Sequence, residues 1–156
     1  MGTPPAGVTL ASLGERIGAP LGTSDWFEID QERVNAFADV TLDHQYVHVD
    51  PERAKATPFG GTIAHGLLTL SLLVHLCLDF IPKIEGTKLL LNYGFDKVRF
   101  VSPVRVGSRI RASGRLGGVS ERAPGQALVR VDVVVEIENQ DKPALVAEWL
   151  SLHVLA

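Results

Sequence analysis

A single cysteine in 156 residues rules out an intrachain disulfide and any metal site built from several thiolates. Cys77 lies inside an apolar run and reads as a buried thiol, the usual setting of a free cysteine. Basic runs are missing too. The 15 Lys and Arg stand against 18 Asp and Glu, for a formal net charge of -3, so nothing suggests a cationic face for nucleic acid. The first residues, "MGTPPAGVTLASLGERIG", lack the basic start and apolar stretch of a secretory leader, which makes the cytoplasm the expected compartment. The longest apolar segment, "GLLTLSLLVHLCLDFI" at 66–81, is shorter than the ~20 residues a bilayer span needs, and His75 and Asp79 interrupt it. It is expected to be buried in protein, with no membrane partner. No GxSxG elbow or phosphate-cradling glycine loop occurs, and beyond the His44-x3-His48 pair no His/Cys cluster stands at ligand spacing, so no metal site is expected from local motifs.

What is present is an ordinary globular composition, 46% hydrophobic and 21% charged, in a length suited to one domain. Residues 1–8 are Pro/Gly-rich and expected to be loose. "WFEI" at 26–29 is a strand candidate. Asp30 can cap a helix whose apolar face is Val34, Phe37, Ala38 and Thr41. Pro51 suits the first turn of a second helix, "PERAKA". Thr62 is a candidate cap for a long apolar helix running to about Phe80. Beyond Pro82 the period changes to two. Strands are expected in "LLLNYGFDKVRFVS", from Arg109 to Leu116, from Gln126 to Ile137 and in "PALVAEWLSLHVL", with "GGVSERAPG" and "NQDKP" as connectors. Pairing that puts Arg111 across from Asp132 keeps polar residues on one face, whereas a one-residue slip would set Arg against Val throughout; this fixes the parity of the register but not the exact register. One apolar helix against an antiparallel sheet is an α+β arrangement, and no repeat suggests a second domain.

Two strings carry the chemistry. In "TLDHQYVHVDPERA", Asp43 and His48 stand five positions apart. On a continuous helix that spacing is about 140° of rotation, so the two diverge. They converge only if the helix breaks between them, and Pro51 disfavours helix at Asp50. A carboxylate beside an imidazole can polarise a water; alternatively Asp43 only turns the chain and His48 is solvated. In "GGTIAHG", a helix entrance leaves N–H groups without partners, and Gly66 leaves that backbone bare for a carbonyl oxygen. Close helix–sheet packing explains the same glycine equally well. His65 is read as bonding a backbone carbonyl; His44, His75 and His153 as structural or solvated.

The stretch "FADVTLDHQYVHVDPERAKATPFGGTIAHGLLTLSLL" resembles the MaoC-like, or hydratase 2, family of (R)-specific enoyl-CoA hydratases, including its NodN-like members. The family pattern D-x4-H-x-D/N-P followed by F-G-x-x-I-x-H-G is met by Asp43, His48, Asp50, Pro51, Ile63, His65 and Gly66. "NYGFDKVRFVSPVRVGSRIRA" is similar to the family's strand region, and the likeness covers roughly residues 25–155. Where common members carry G-D-x-N-P-L-H, this chain has Leu42, Gln45, Tyr46 and Val47 around the pair.

The resemblance implies a single hot-dog domain over residues 1–156, with the helix as filling and the sheet as wrap, that forms a homodimer. It implies catalysis by Asp43 and His48, with the Gly66 N–H as oxyanion donor. The implied reaction is reversible hydration of a trans-2-enoyl-CoA to the (R)-3-hydroxyacyl-CoA. The coenzyme A thioester is the substrate, and neither cofactor nor metal is required. Leu67, Leu68 and Ser71 are then candidates to line the acyl chain, and Lys88, Lys97, Arg99 and Arg105 to meet the phosphates. Two other readings stay open: a hot-dog thioesterase, and a non-catalytic acyl-CoA-binding subunit of a hydratase complex.

Overall fold

The computed structural model describes residues 7–156. Chain order is α1 (Leu10–Gly14), β1 (Pro20–Thr23), β2 (Phe27–Glu28), α2 (Gln31–Thr41), α3 (Tyr46–Val49), α4 (Pro51–Ala54), α5 (Gly66–Ser71), α6 (Leu73–Leu76), β3 (Thr87–Phe100), β4 (Arg109–Ala123), β5 (Gln126–Ile137) and β6 (Leu145–Leu155). The sheet order is β1-β4-β5-β6-β3, with β2 also paired to β4. β4, β5 and β6 form the expected antiparallel meander, while β3 lies beside β6 at the far edge.

Period-two alternation decides which face of the sheet is buried. Ala127, Val129, Val131, Val133, Val135 and Ile137 turn inward from β5. They share one core with Ile110, Ala112 and Leu116 of β4 and with Leu68, Leu73, Leu76 and Cys77 of the apolar segment. On the outer face Arg111 pairs in register with Glu136, at Nε–Oε2 2.5 Å, and Arg115 with Asp132, which is the expected parity. An apolar helical segment held in the curve of an antiparallel sheet is the hot-dog arrangement.

Several local expectations are corrected. The apolar segment is two short helices, α5 and α6, meeting at Leu72, and it begins at Gly66 rather than Thr62. Ser71 Oγ donates to the Leu67 carbonyl at 2.7 Å, a back-bond that bends helices, and the Thr62 hydroxyl is spent on Gln31 Oε1 instead of capping. "GGVSERAPG" is no loop: β4 runs on to Ala123 and turns through Gly125, whose φ of 74° suits glycine. Helix α1 and strand β1 carry no clear periodic signal in so few residues. Residues 1–6 of the segment expected to be loose lie outside the described residues, but Val8 is tied down: its N–H donates to the Lys83 carbonyl and it bridges to Ile84.

Candidate active site

The break between Asp43 and His48 is built from three local devices. Helix α2, capped by Asp30 on the Arg33 N–H, ends at Leu42, which is held in the left-handed region at φ 63°. A leucine there costs roughly 1–2 kcal/mol, a strain of the kind that gathers at functional sites. Asp43 then leaves the helix axis and its Oδ1 accepts weakly from the Gln45 N–H at 3.4 Å. His48 sits beyond the break, in the one-turn helix α3, and is buried rather than solvated. Asp50 is extended, and its carboxylate caps α4 through the Arg53 N–H at 3.0 Å, with Pro51 in the first turn.

His48 is held from three sides. Its Nδ1 lies 2.7 Å from the Ile63 carbonyl; a carbonyl only accepts, so Nδ1 carries the hydrogen and, in the neutral ring, Nε2 keeps its lone pair. Gln31 donates to the His48 carbonyl at 2.7 Å while accepting from Thr62 Oγ1 at 2.6 Å. The ring stacks on His65, centroids 3.8 Å apart and planes 24° from parallel. His65 Nε2 donates to the Asp43 carbonyl at 3.0 Å, the backbone bond expected of it, and its Nδ1 is buried without a partner. An unpaired buried acceptor costs about 1–3 kcal/mol. His44 turns away to Asp39, Nε2–Oδ1 2.8 Å.

Asp43, His48 and His65 each offer one ligand-type atom within 4.8 Å of the other two. One water hydrogen-bonded to both a carboxylate oxygen and an imidazole nitrogen bridges up to ~5.6 Å, a span that covers this separation. The same cluster invites a metal reading that local spacing did not anticipate. The ring geometry fits it poorly: near-parallel imidazoles send their lone pairs along near-parallel planes rather than toward one point, and His65 Nε2 is already engaged. Asp43 is 55% exposed at its side chain, whereas His48 is buried.

Both His48 and Gly66 line a cleft of about 340 Å³. Extended residues 62–64 set this up: the Ile63 N–H donates to the Val47 carbonyl, the Ala64 N–H to Val104, and the Val106 N–H to Thr62. The chain then enters α5 at Gly66, whose N–H has no intrahelical acceptor. Apolar walls come from Leu67, Phe100, Val101, Val104 and Ala144. The Phe100 ring rests against Gly66 so closely that a Cβ there would meet it at 2.9 Å.

The binding candidates divide. Leu67 lines the cleft. Leu68, expected beside it, is turned into the core, and Ser71 faces a second recess beside Asn92, Phe95 and Trp149. Arg105 lies at the site's edge, bonding the Gly60 carbonyl and bridging in register to Ile63. Lys97 and Arg99 alternate with Val98 and Phe100 and so leave β3 on the opposite face, while Lys88 is at the far end of that strand. Within one chain, then, only Arg105 of the four cations is near the cleft. Gln31, the Ile63 carbonyl and Phe100 were missed, since nothing local distinguishes a glutamine or a strand-end phenylalanine that folding carries to the site.

The sequence profile of the MaoC like domain matches residues 12–139. The chain is 50% identical over 146 residues to 3-hydroxyacyl-thioester dehydratase Z of Mycobacterium tuberculosis, covering 94% of this chain and 96% of that one. It is 48% identical over 146 residues to nodulation protein N of Rhizobium leguminosarum bv. viciae, covering 93% and 91%. Among solved structures, the (R)-hydratase from A. caviae involved in PHA biosynthesis superposes with a TM-score of 0.71 over 86% of this chain and 94% of that one; at 24% identity this speaks for the fold alone. The chain belongs to the MaoC-like dehydratase family. That membership makes it a hot-dog enzyme of the hydro-lyase class.

Proposed function

We propose that the protein reversibly adds water across a trans-2-enoyl-CoA to give the (R)-3-hydroxyacyl-CoA. The reading is carried by one observation: a carboxylate oxygen of Asp43 and a ring nitrogen of His48 lie within 4.8 Å of each other, in a site whose cleft also receives Gly66. Asp43 accepts a hydrogen bond from one O–H of the water, and that hydrogen stays on the oxygen as the product hydroxyl; His48 Nε2, free because Nδ1 is spent on Ile63, takes the other as a proton while the oxygen bonds to the β-carbon. The proton is returned from His48 to the α-carbon on the same side, so both groups end in their starting charge state. Between the two events negative charge collects on the thioester oxygen, where the Gly66 N–H stabilises it better than in the ground state. The thioester itself is the electron sink.

The apolar walls of the cleft suit an acyl chain, and Arg105 is the cation best placed for a phosphate. The name 3-hydroxyacyl-thioester dehydratase Z, borne by a relative at 50% identity, supports this substrate class and the reverse direction. A homodimer is part of the proposal. Edge strand β3 exposes Leu89, Leu90, Leu91 and Tyr93, a surface that a second copy would cover. Sedimentation should therefore give twice the chain mass.

The reaction is tested by following enoyl-thioester absorbance and free thiol together on short and medium enoyl-CoAs. Hydration consumes the conjugated enoyl without releasing thiol. Thiol release without hydration indicates a thioesterase, and neither signal indicates a binding subunit. Asp43→Asn and His48→Gln should each lower kcat by at least ~10²-fold, the scale of general acid–base groups, with the protein still folded. Coupling the product to (R)- or (S)-specific dehydrogenases reads the stereochemistry.

A further inference from the structure

His65 performs no step of this reaction, yet it is 3% exposed and contacts both Asp43 and His48. Its Nε2–H donates to the Asp43 carbonyl at 3.0 Å. One face covers the His48 ring at 3.8 Å between centroids, and Phe37 holds the ring from another side at 4.9 Å. The next residue is Gly66, so the same backbone carries the oxyanion amide. Asp43 itself stands in a segment without repeating structure, between a left-handed Leu42 and α3. Its side chain accepts a 3.4 Å bond from the Gln45 N–H, and its Oδ2 lies 4.0 Å from His65 Nε2. His44 ties the segment to Asp39 and the Gln45 carbonyl accepts from the His48 N–H at 2.9 Å, but the bond from His65 is the one made to Asp43's own backbone carbonyl.

The other ring nitrogen tells what the residue is for. With the hydrogen on Nε2, Nδ1 is a buried lone pair with no partner. A phenyl ring would fill the same space and stack on His48 without that unpaired acceptor, so packing alone does not account for an imidazole here. We propose that His65 is a positioning residue, which fixes the Asp43 carboxylate and His48 Nε2 at the separation that grips one water. This rests on the hydration reading above.

Two variants separate the roles. His65→Phe keeps the ring and removes both the donor and the unpaired acceptor. His65→Gln keeps a donor with similar reach and removes the ring. The Phe variant should melt no lower than wild type while kcat falls at least ~10-fold, the consequence of sub-ångström misplacement, with KM nearly unchanged. The Gln variant should recover part of kcat. In ¹H–¹⁵N spectra the amides of residues 43–45 should move in the Phe variant and return toward wild type in the Gln variant. Wild-type kcat in the Phe variant overturns the proposal, as does a loss in both variants that follows their melting temperatures. If wild type does not hydrate enoyl-CoA, or Asp43→Asn leaves hydration intact, the functional reading fails instead. The amide shifts then decide the positioning claim alone, and unmoved amides in the Phe variant overturn it.

Discussion

Gly66→Ala adds one methyl group between the amide assigned to the oxyanion and the ring of Phe100. A Cβ at that position meets Phe100 Cδ1 at 2.9 Å, Cε1 at 3.0 Å and Cγ at 3.2 Å. Carbon contacts settle at ~3.5 Å or more, so the ring or the helix entrance must retreat by roughly 0.6 Å. Stability should barely register this. Phe100 is 52% exposed and free to swing outward, and alanine in a compatible helical conformation gains about 0.4–1 kcal/mol over glycine. Catalysis should register it, because Phe100 walls the cleft and the clash is relieved only by shifting that wall or the amide; a misplacement near 1 Å costs about 10² in rate and complete loss of an oxyanion donor about 10²–10³. A fall in kcat of roughly 10-fold at an unchanged or slightly higher melting temperature is the expected result. The assay is enoyl-CoA hydration, run on the double-mutant cycle with Phe100→Ala. Without the ring the added methyl has nothing to push against, so the alanine penalty should shrink in that background. Wild-type kcat in Gly66→Ala, or a penalty undiminished in the double variant, refutes the reasoning.

Two further outcomes come from groups outside the site. His153 is buried between Ser151 and Thr87, and burial pushes its proton affinity below the ordinary imidazole value. The unfolded chain then binds more protons, so stability should be lost as pH falls through ~6.5 and regained above it. Urea midpoints taken between pH ~5 and ~7.5 should show this slope, and His153→Gln should flatten it. Burial pushes the Cys77 thiol up to about 12, so the native protein should resist alkylation at neutral pH and react fully once unfolded; rapid native labelling would contradict the buried placement.

The strands were legible because their alternation is long: six inward β5 residues in strict period two admit one face assignment and one register parity. The cap at Asp30 was legible because a side-chain oxygen followed by helix formers has few alternatives, and Pro51 marked the first turn of α4. The short α1 and β1 were not, since elements of 5 and 4 residues leave no period to count. The bend at Leu72 escaped because it depends on a Ser71 hydroxyl choosing a carbonyl over solvent. At the site, Asp43, His48 and Gly66 stood out by residue type and neighbourhood. The stack of His48 on His65 spans 17 positions and depends on how residues 62–64 are threaded between α3 and Val104; a linear pattern does not encode that threading. Arg105 was recovered with three other cations because charge alone does not tell which end of a strand meets a cleft.

The reactive atoms and the walls around them come from different places in the chain. Asp43, His48, His65 and Gly66 belong to one short continuous stretch, while the far side of the cleft is made by Phe100–Val104 and Ala144, on the loops that leave β3 and enter β6. Replacing Val101 or Ala144 by larger or smaller residues therefore reshapes the room for the acyl group and leaves the proton-handling groups where they are. In such a layout a taste for new substrates can evolve by drift in two loops, with the chemistry carried along unaltered.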